Sequence, residues 1–280
     1  EIIRLAWLDP DRLVEALNHA GLSVVCQIHT SGGFLRNGEY IYCDHYNVEE
    51  HMLSFSQNIS ECRKLISRVD AGGFVNVHAG VDAWSMEEAL CFLQFCLKEQ
   101  QIQDLPFPVM FETHRQRLFG SPFQTRELLS QQQQQGDGSN LLLLKDLKLN
   151  ADLSHWYCAC ERVFDPKQGR DAPWWPELIN QLSHHCHYIH ARFGWAQGPQ
   201  MADPSASECE PDRMLQMDVW KQLLSNMKAR GSSECCYVSP EYGPAPYLPV
   251  MPHSQNPVAS LPDAVSYTKQ QIEMLFEQIE

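Results

Sequence analysis

Six short segments of the sequence run apolar and then stop on a side chain that ligates metals or moves protons. In chain order the stops are His29 after "LSVVCQI", His78 after "FVNV", Glu112 after "FPVMF", Asp152 after "LKLNA", His190 after "HYI" and Glu241 after "CCYVSP". Taken singly, each has a plain structural use, as a satisfied strand histidine or a carboxylate capping the next helix. Brought to one place, three carboxylates and several imidazoles in apolar surroundings repel one another and lose solvation unless a counter-ion joins them. A divalent cation removes that conflict. Mixed oxygen and nitrogen donors suit Mn²⁺, Co²⁺, Mg²⁺ or Zn²⁺, and ligand type alone does not choose among them.

The elements that must position these side chains alternate along the chain. "DPDRLVEALNHA" (9–20) carries an N-cap Asp9, Pro10 at the first helical position and apolar residues at helical spacing, and Gly21 ends it. A strand follows to His29 and Thr30, then a long helix over 48–69 and a strand ending at His78. Ser85 opens the next helix with Glu88 as its capping-box partner. The strand to Glu112, a helix over 124–135 and a strand "LKLNADLSH" carrying Asp152 and His155 come next. A helix over 176–184, the strand "HYIHAR", the amphipathic helix "PDRMLQMDVWKQLLSNMKA", the strand to Glu241 and a closing helix complete the pattern.

Strand and helix in unbroken alternation imply a parallel sheet with helices packed outside it. Six strands are legible, where a closed (β/α)8 TIM barrel has eight, so the expectation is a barrel lacking its first one or two strands. In such barrels the C-terminal strand ends share one face, and residues scattered over more than 200 positions meet there. An open doubly wound sheet is the alternative, but no GxGxxG loop follows any strand. The whole of 1–280 reads as one domain. A low-complexity glutamine tract at about 131–140 is expected to be an insertion away from the active face.

Composition narrows the partners. A net charge of −14, from 35 acidic against 21 basic residues with no Lys/Arg cluster, argues against nucleic acid. No apolar run approaches a membrane span. Eleven cysteines without a visible secretory signal read as reduced core thiols, which points to a cytoplasmic protein. Neither Cys158 with Cys160 nor Cys235 with Cys236 has the CxxC spacing of a zinc site.

The stretches "FETHR", "ADLSH", "HYIHARFGWAQGPQ" and "SPEYGP" resemble motifs of the xylose isomerase-like TIM barrel superfamily, in its sugar-phosphate isomerase/epimerase-like branch. The resemblance runs from the first helix to the last, and HAR…GPQ is its most specific piece. It implies one divalent metal ion held by Glu112, Asp152, His190 and Glu241, and a carbohydrate-like small molecule as substrate. It further implies that Glu112 and Glu241 exchange protons with the substrate, one on each face, through a metal-stabilised enediolate. His155, three residues after Asp152, together with His78, His114 and Arg115, is then expected to contact substrate. Arg192 shares a strand face with His190, and two readings of it stand: a clamp for a substrate carboxylate or phosphate, or a salt bridge to a site carboxylate.

The expected activity is a sugar isomerase or epimerase, in a chain that can also form homo-oligomers. A dehydratase or lyase on the same scaffold, and a truncated or non-catalytic barrel that only binds metal or ligand, are the competing readings. The loops "GWAQGPQMADPSASECEP" and "YGPAPYLPVMPHSQNPVASLP" are long enough to form lids, with Trp195, Tyr242 and Tyr247 as possible apolar walls.

Overall fold

The computed structural model describes residues 9–34, 40–42, 47–134, 144–230 and 237–279. The chain divides into two compact units: Glu1–Glu112 with Gln116–Phe119 and Glu127–Lys148, and Thr113–Arg115 with Gly120–Arg126 and Leu149–Glu280.

The first unit opens with helix α1 (Pro10–Ala20). Asp9 caps it by accepting from the backbone N–H groups of Asp11 and Arg12, and Gly21 closes it in the left-handed conformation that favours glycine. Strand β1 (Val24–His29) follows, then a short antiparallel pair of β2 (Gly32–Phe34) and β3 (Tyr40–Tyr42). Nothing in the alternation of the sequence pointed to that pair. Helix α2 (Val48–Ile66), strand β4 (Gly73–His78), helix α3 (Met86–Ile102) and strand β5 (Val109–Glu112) complete the order. Ser85 and Glu88 form the expected capping box.

β1, β4 and β5 pair in parallel, with His29 beside His78 in the register. Such strands are covered on both faces, so they read as apolar runs rather than alternating ones. Phe55 of α2 and Phe92 of α3 close over them, with Phe55 stacked 6.3 Å from Phe111 of β5. Helix α4 (Pro122–Gln134) follows, and the remainder of the glutamine tract, 135–140, lies outside the described residues.

In the second unit, strand β6 (Leu149–Ala151) leads into the short helix α5 (Ser154–Ala159). The sequence reading continued this strand through Asp152 to His155. Instead the strand ends at Ala151, the Asp152 carboxylate accepts from the N–H of Ser154 two residues on, 3.2 Å away, and a helix begins at Ser154 with His155 on its first turn. Helix α6 (Trp175–His185), strand β7 (Cys186–Ala191), helix α7 (Glu210–Ala229), strand β8 (Tyr237–Pro240) and helix α8 (Leu261–Gln278) follow in turn. Cys235 and Cys236, ahead of β8, lie outside the described residues.

β6, β7 and β8 are also parallel, with Ala151 beside Ile189 and His190 beside Ser239. An aromatic cluster of Trp156, Tyr157, Phe164, Trp174 and Trp175 packs α5 and α6 into one core, with Phe164 and Trp175 ring centres 4.5 Å apart. Each unit thus presents three parallel strands whose C-terminal ends carry the polar residues. No described helix is long and apolar enough to cross a membrane.

Candidate active site

In the first unit, β1, β4 and β5 deliver a buried polar cluster. Glu112 is 2 % exposed and accepts from the amide of Asn76 at 2.5 Å. His78 Nε2 stands 2.9 Å from the same carboxylate oxygen and 2.9 Å from Gln27 Nε2. A ring nitrogen that donates to Glu112 cannot also accept from Gln27, so one tautomer of His78 engages the carboxylate and the other the amide. His29 completes the group, packing edge-on to His78 with ring centres 4.3 Å apart. Of the residues singled out from sequence, this unit holds His29, His78 and Glu112. Gln27 and Asn76 were missed. Their signal was available, since each is an amide inside an otherwise apolar strand, where an uncompensated polar group is costly.

In the second unit, the ends of β6, β7 and β8 gather Asp152, His155, His190, Arg192 and Glu241. Asp152 is fully buried, and Arg192 and Ser154 both bond to its carboxylate, one on each oxygen. Arg192 also donates through Nε to Ser154 Oγ at 3.1 Å, and its Nη2 lies 3.3 Å from Glu241 Oε2. Of the two readings of Arg192, the salt bridge is the one the structure displays. His190 Nδ1 lies 3.2 Å from Glu241 Oε2, and the Asn150 side chain accepts from the His190 backbone at 3.2 Å.

His155 lies between the two arginines. Arg192 Nη2 is 3.0 Å from its Nε2, and Arg115 Nη1 is 3.0 Å from its Nδ1. A guanidinium only donates, so a neutral imidazole can accept from one of them. Asp152 Oδ2, 3.4 Å from Nε2, favours the tautomer that carries its proton there and accepts from Arg115 at Nδ1. His114 packs against the same ring, with centres 3.8 Å apart. Ser154 and Asn150 were not singled out from sequence. The Asp-x-Ser spacing was the available sign for Ser154.

The loops behave as supports. In "GWAQGPQ", Trp195 and Gly198 exchange backbone hydrogen bonds in a tight turn. A side chain at Gly198 would meet the Trp195 indole nitrogen at 2.9 Å, and one at Gly194 would meet the Cβ of Ser154 at 2.7 Å. The Gln200 amide exchanges two hydrogen bonds with the backbone of Gly243, which ties the two long loops together. Tyr242 accepts from the backbone of Phe193 and bonds Thr268, and burial pushes its hydroxyl up to about 12. Tyr247 lies under both guanidinium groups, 5.1 Å from Arg192 and 5.7 Å from Arg115. Burial raises its pKa, and the two cations hold that rise in check.

One ligand atom from each of Asp152, His190 and Glu241 falls within 4.8 Å of the others. Two donors bound to one ion at about 2.1 Å stand roughly 3.0–3.4 Å apart in octahedral or tetrahedral geometry, and the 3.2 Å between His190 and Glu241 falls in that range. The two oxygens and one nitrogen fit a divalent cation.

No protein-family model and no curated protein matches the sequence. Among solved structures, the chain is similar to the IOLI protein determined with a bound zinc atom, at a TM-score of 0.56 and 12 % identity over 99 % of this chain and 84 % of that one. It is also similar to a D-tagatose 3-epimerase-like protein, at a TM-score of 0.51 and 15 % identity over 97 % and 85 %. The likeness is one of fold, that of a TIM barrel. In barrels of this kind the C-terminal strand ends form the functional face, and Asp152, His190 and Glu241 lie within one residue of the ends of β6, β7 and β8.

Proposed function

We propose that this chain is a divalent-metal-dependent isomerase or epimerase acting on a sugar, sugar phosphate or related sugar acid. The observation that carries the reading is the triad of Asp152, His190 and Glu241, with donor atoms close enough to share an ion. The names of the two similar structures, one with a bound zinc atom and one epimerase-like, agree with it. Glu112 is kept as the fourth ligand on the strength of its motif, "FETH".

A bound divalent ion would polarise neighbouring carbonyl and hydroxyl oxygens of the sugar and acidify the C–H between them. Glu241, about one-third exposed, is the carboxylate within reach of solvent and is assigned to take a proton from substrate. Glu112 is assigned to the opposite substrate face. Asp152 holds the ligand geometry, fixed by Ser154 on one oxygen and Arg192 on the other. His155, held in one tautomer between Asp152 and Arg115, fixes the position of the Arg115 guanidinium beside the site.

One observation favours a second reading. The guanidinium of Arg192 already faces Asp152 and Glu241, so it can serve as the built-in cation of a site that binds ligand without a metal. Zinc titration by calorimetry, paired with proton NMR of ketoses in D₂O, separates the two. The isomerase reading expects stoichiometric zinc, affinity lowered by at least about tenfold in His190→Ala, and solvent deuterium entering the substrate without loss of water. Glu112→Gln and Glu241→Gln are expected to abolish turnover with metal still bound. A folded protein that takes up no metal would leave only the second reading.

A further inference from the structure

The two arginines of the second unit are in different electrostatic situations. Arg192 is committed to Asp152 and Glu241. Arg115 touches His155 through Nη1 and the face of Tyr247, and it has no carboxylate partner among the described residues. This is unexpected in a chain whose acids outnumber its bases by 35 to 21. A half-buried guanidinium that faces no anion has given up solvation without electrostatic return, unless the anion arrives with a ligand.

The position of Arg115 shows where that ligand would sit. It lines a cavity of about 370 Å³ together with Trp195, Gln197, Pro199 and Tyr247. Trp195 is 44 % exposed, and its indole is seated by the Trp195–Gly198 turn instead of being packed in the core. A flat apolar face beside a guanidinium fork and a glutamine amide matches a molecule with a carbon face at one end and an oxyanion at the other.

We propose that this cavity binds the charged end of an anionic polyol, a sugar acid or a sugar phosphate. Arg115 holds the oxyanion and Trp195 stacks on the carbon chain. This names the substrate class of the isomerase reading, and rests on that reading only for the ligand's being a sugar.

The test is a metal-free binding measurement in EDTA, so its outcome is independent of turnover and of metal uptake. Calorimetry or saturation-transfer NMR compares D-glucitol, D-gluconate and D-glucitol 6-phosphate, which share one carbon skeleton and differ in charge. At least one anion should bind about tenfold or more tightly than glucitol, and which one identifies the oxyanion as carboxylate or phosphate. Arg115→Met should abolish that preference, and Arg115→Lys, which keeps the charge and the fold but loses the fork, should retain part of it. Trp195→Ala, at an exposed position, should weaken the preferred anion without changing the charge preference. Equal affinity for all three polyols, binding of none, or a preference that survives Arg115→Met would overturn the proposal.

Discussion

Arg192 Nη2 bonds Asp152 Oδ2, and the same nitrogen lies 3.3 Å from Glu241 Oε2. One cation therefore faces two of the four side chains assigned to a metal ion, in a place where Asp152 is fully buried. Guanidinium and metal act on the same carboxylates, and each changes what the other contributes.

That relationship gives the first prediction. Arg192→Met removes the guanidinium that faces a buried carboxylate, and should cost about 3 kcal/mol of stability in the absence of metal. Excess zinc should then raise the melting temperature of the variant more than that of the parent, because the ion takes over as the positive partner. Thermal melts of both proteins with EDTA and with zinc measure this. An equal zinc response in the two would separate Arg192 from the ion site.

Gly194 gives the second. A methyl group there would stand 2.7 Å from Cβ and 2.8 Å from Cα of Ser154, which are backbone-anchored atoms that cannot swing aside. Gly194→Ala should destabilise the protein by about 1–3 kcal/mol and displace the serine that bonds both Asp152 and Arg192. Urea denaturation reads the first effect, and zinc affinity reads the second. A variant as stable as the parent would show that the loop yields freely.

Much of this site was legible in the sequence, because parallel strands are apolar until they end. His29, His78, Glu112, Asp152, His190 and Glu241 stand out as ligand-type residues that close β-type runs, and all six lie within one residue of a strand's C-terminal end. What the pattern could not convey was the backbone beyond the strand. "LKLNADLSH" keeps its apolar spacing past Asp152, although the strand ends at Ala151 and His155 lies on the first turn of a helix. The fate of Arg192 was open for a similar reason: a guanidinium two residues after His190 can face substrate or Asp152, and distance alone decides. The pair β2–β3 escaped because strands of three residues are too short for a period to register. The buried amides Gln27 and Asn76 lie in the middle of β1 and β4, where no strand-end pattern marks them.

Tyr242 carries a pH prediction. Its hydroxyl is raised by burial from the ordinary tyrosine value of 10.0 to about 12 in the folded protein, so the native state holds the proton more tightly than the unfolded chain. The stability this contributes is complete below pH 10 and is lost as pH rises from there through about 12. Tyr242→Phe removes the titrating group, along with bonds to Phe193 and Thr268. The variant should be less stable than the parent at pH 8 and should lose stability less steeply between pH 9 and 11. Parallel urea-denaturation curves across that range would count against the assignment.

The cysteines allow a check on packing that is independent of the site. The sequence reads the cysteines as core thiols, but α3 buries Cys96 and turns Cys91 to solvent. Cys26, Cys62 and Cys186 are buried as well, and burial pushes the Cys96 thiol up, while Cys62 is raised chiefly by its hydrogen bond with Cys26. Thiolates react and thiols do not, so both access and ionisation protect this group. A disulfide reagent added to native protein should therefore label Cys91 in a fast phase, with Cys26, Cys62, Cys96 and Cys186, the buried thiols among the described residues, released only on unfolding. Cys91→Ser should remove one equivalent from the fast phase and leave the slow phase intact. Rapid labelling of Cys96 in the native state would mean that α3 does not pack on the strands through Phe92 and Cys96.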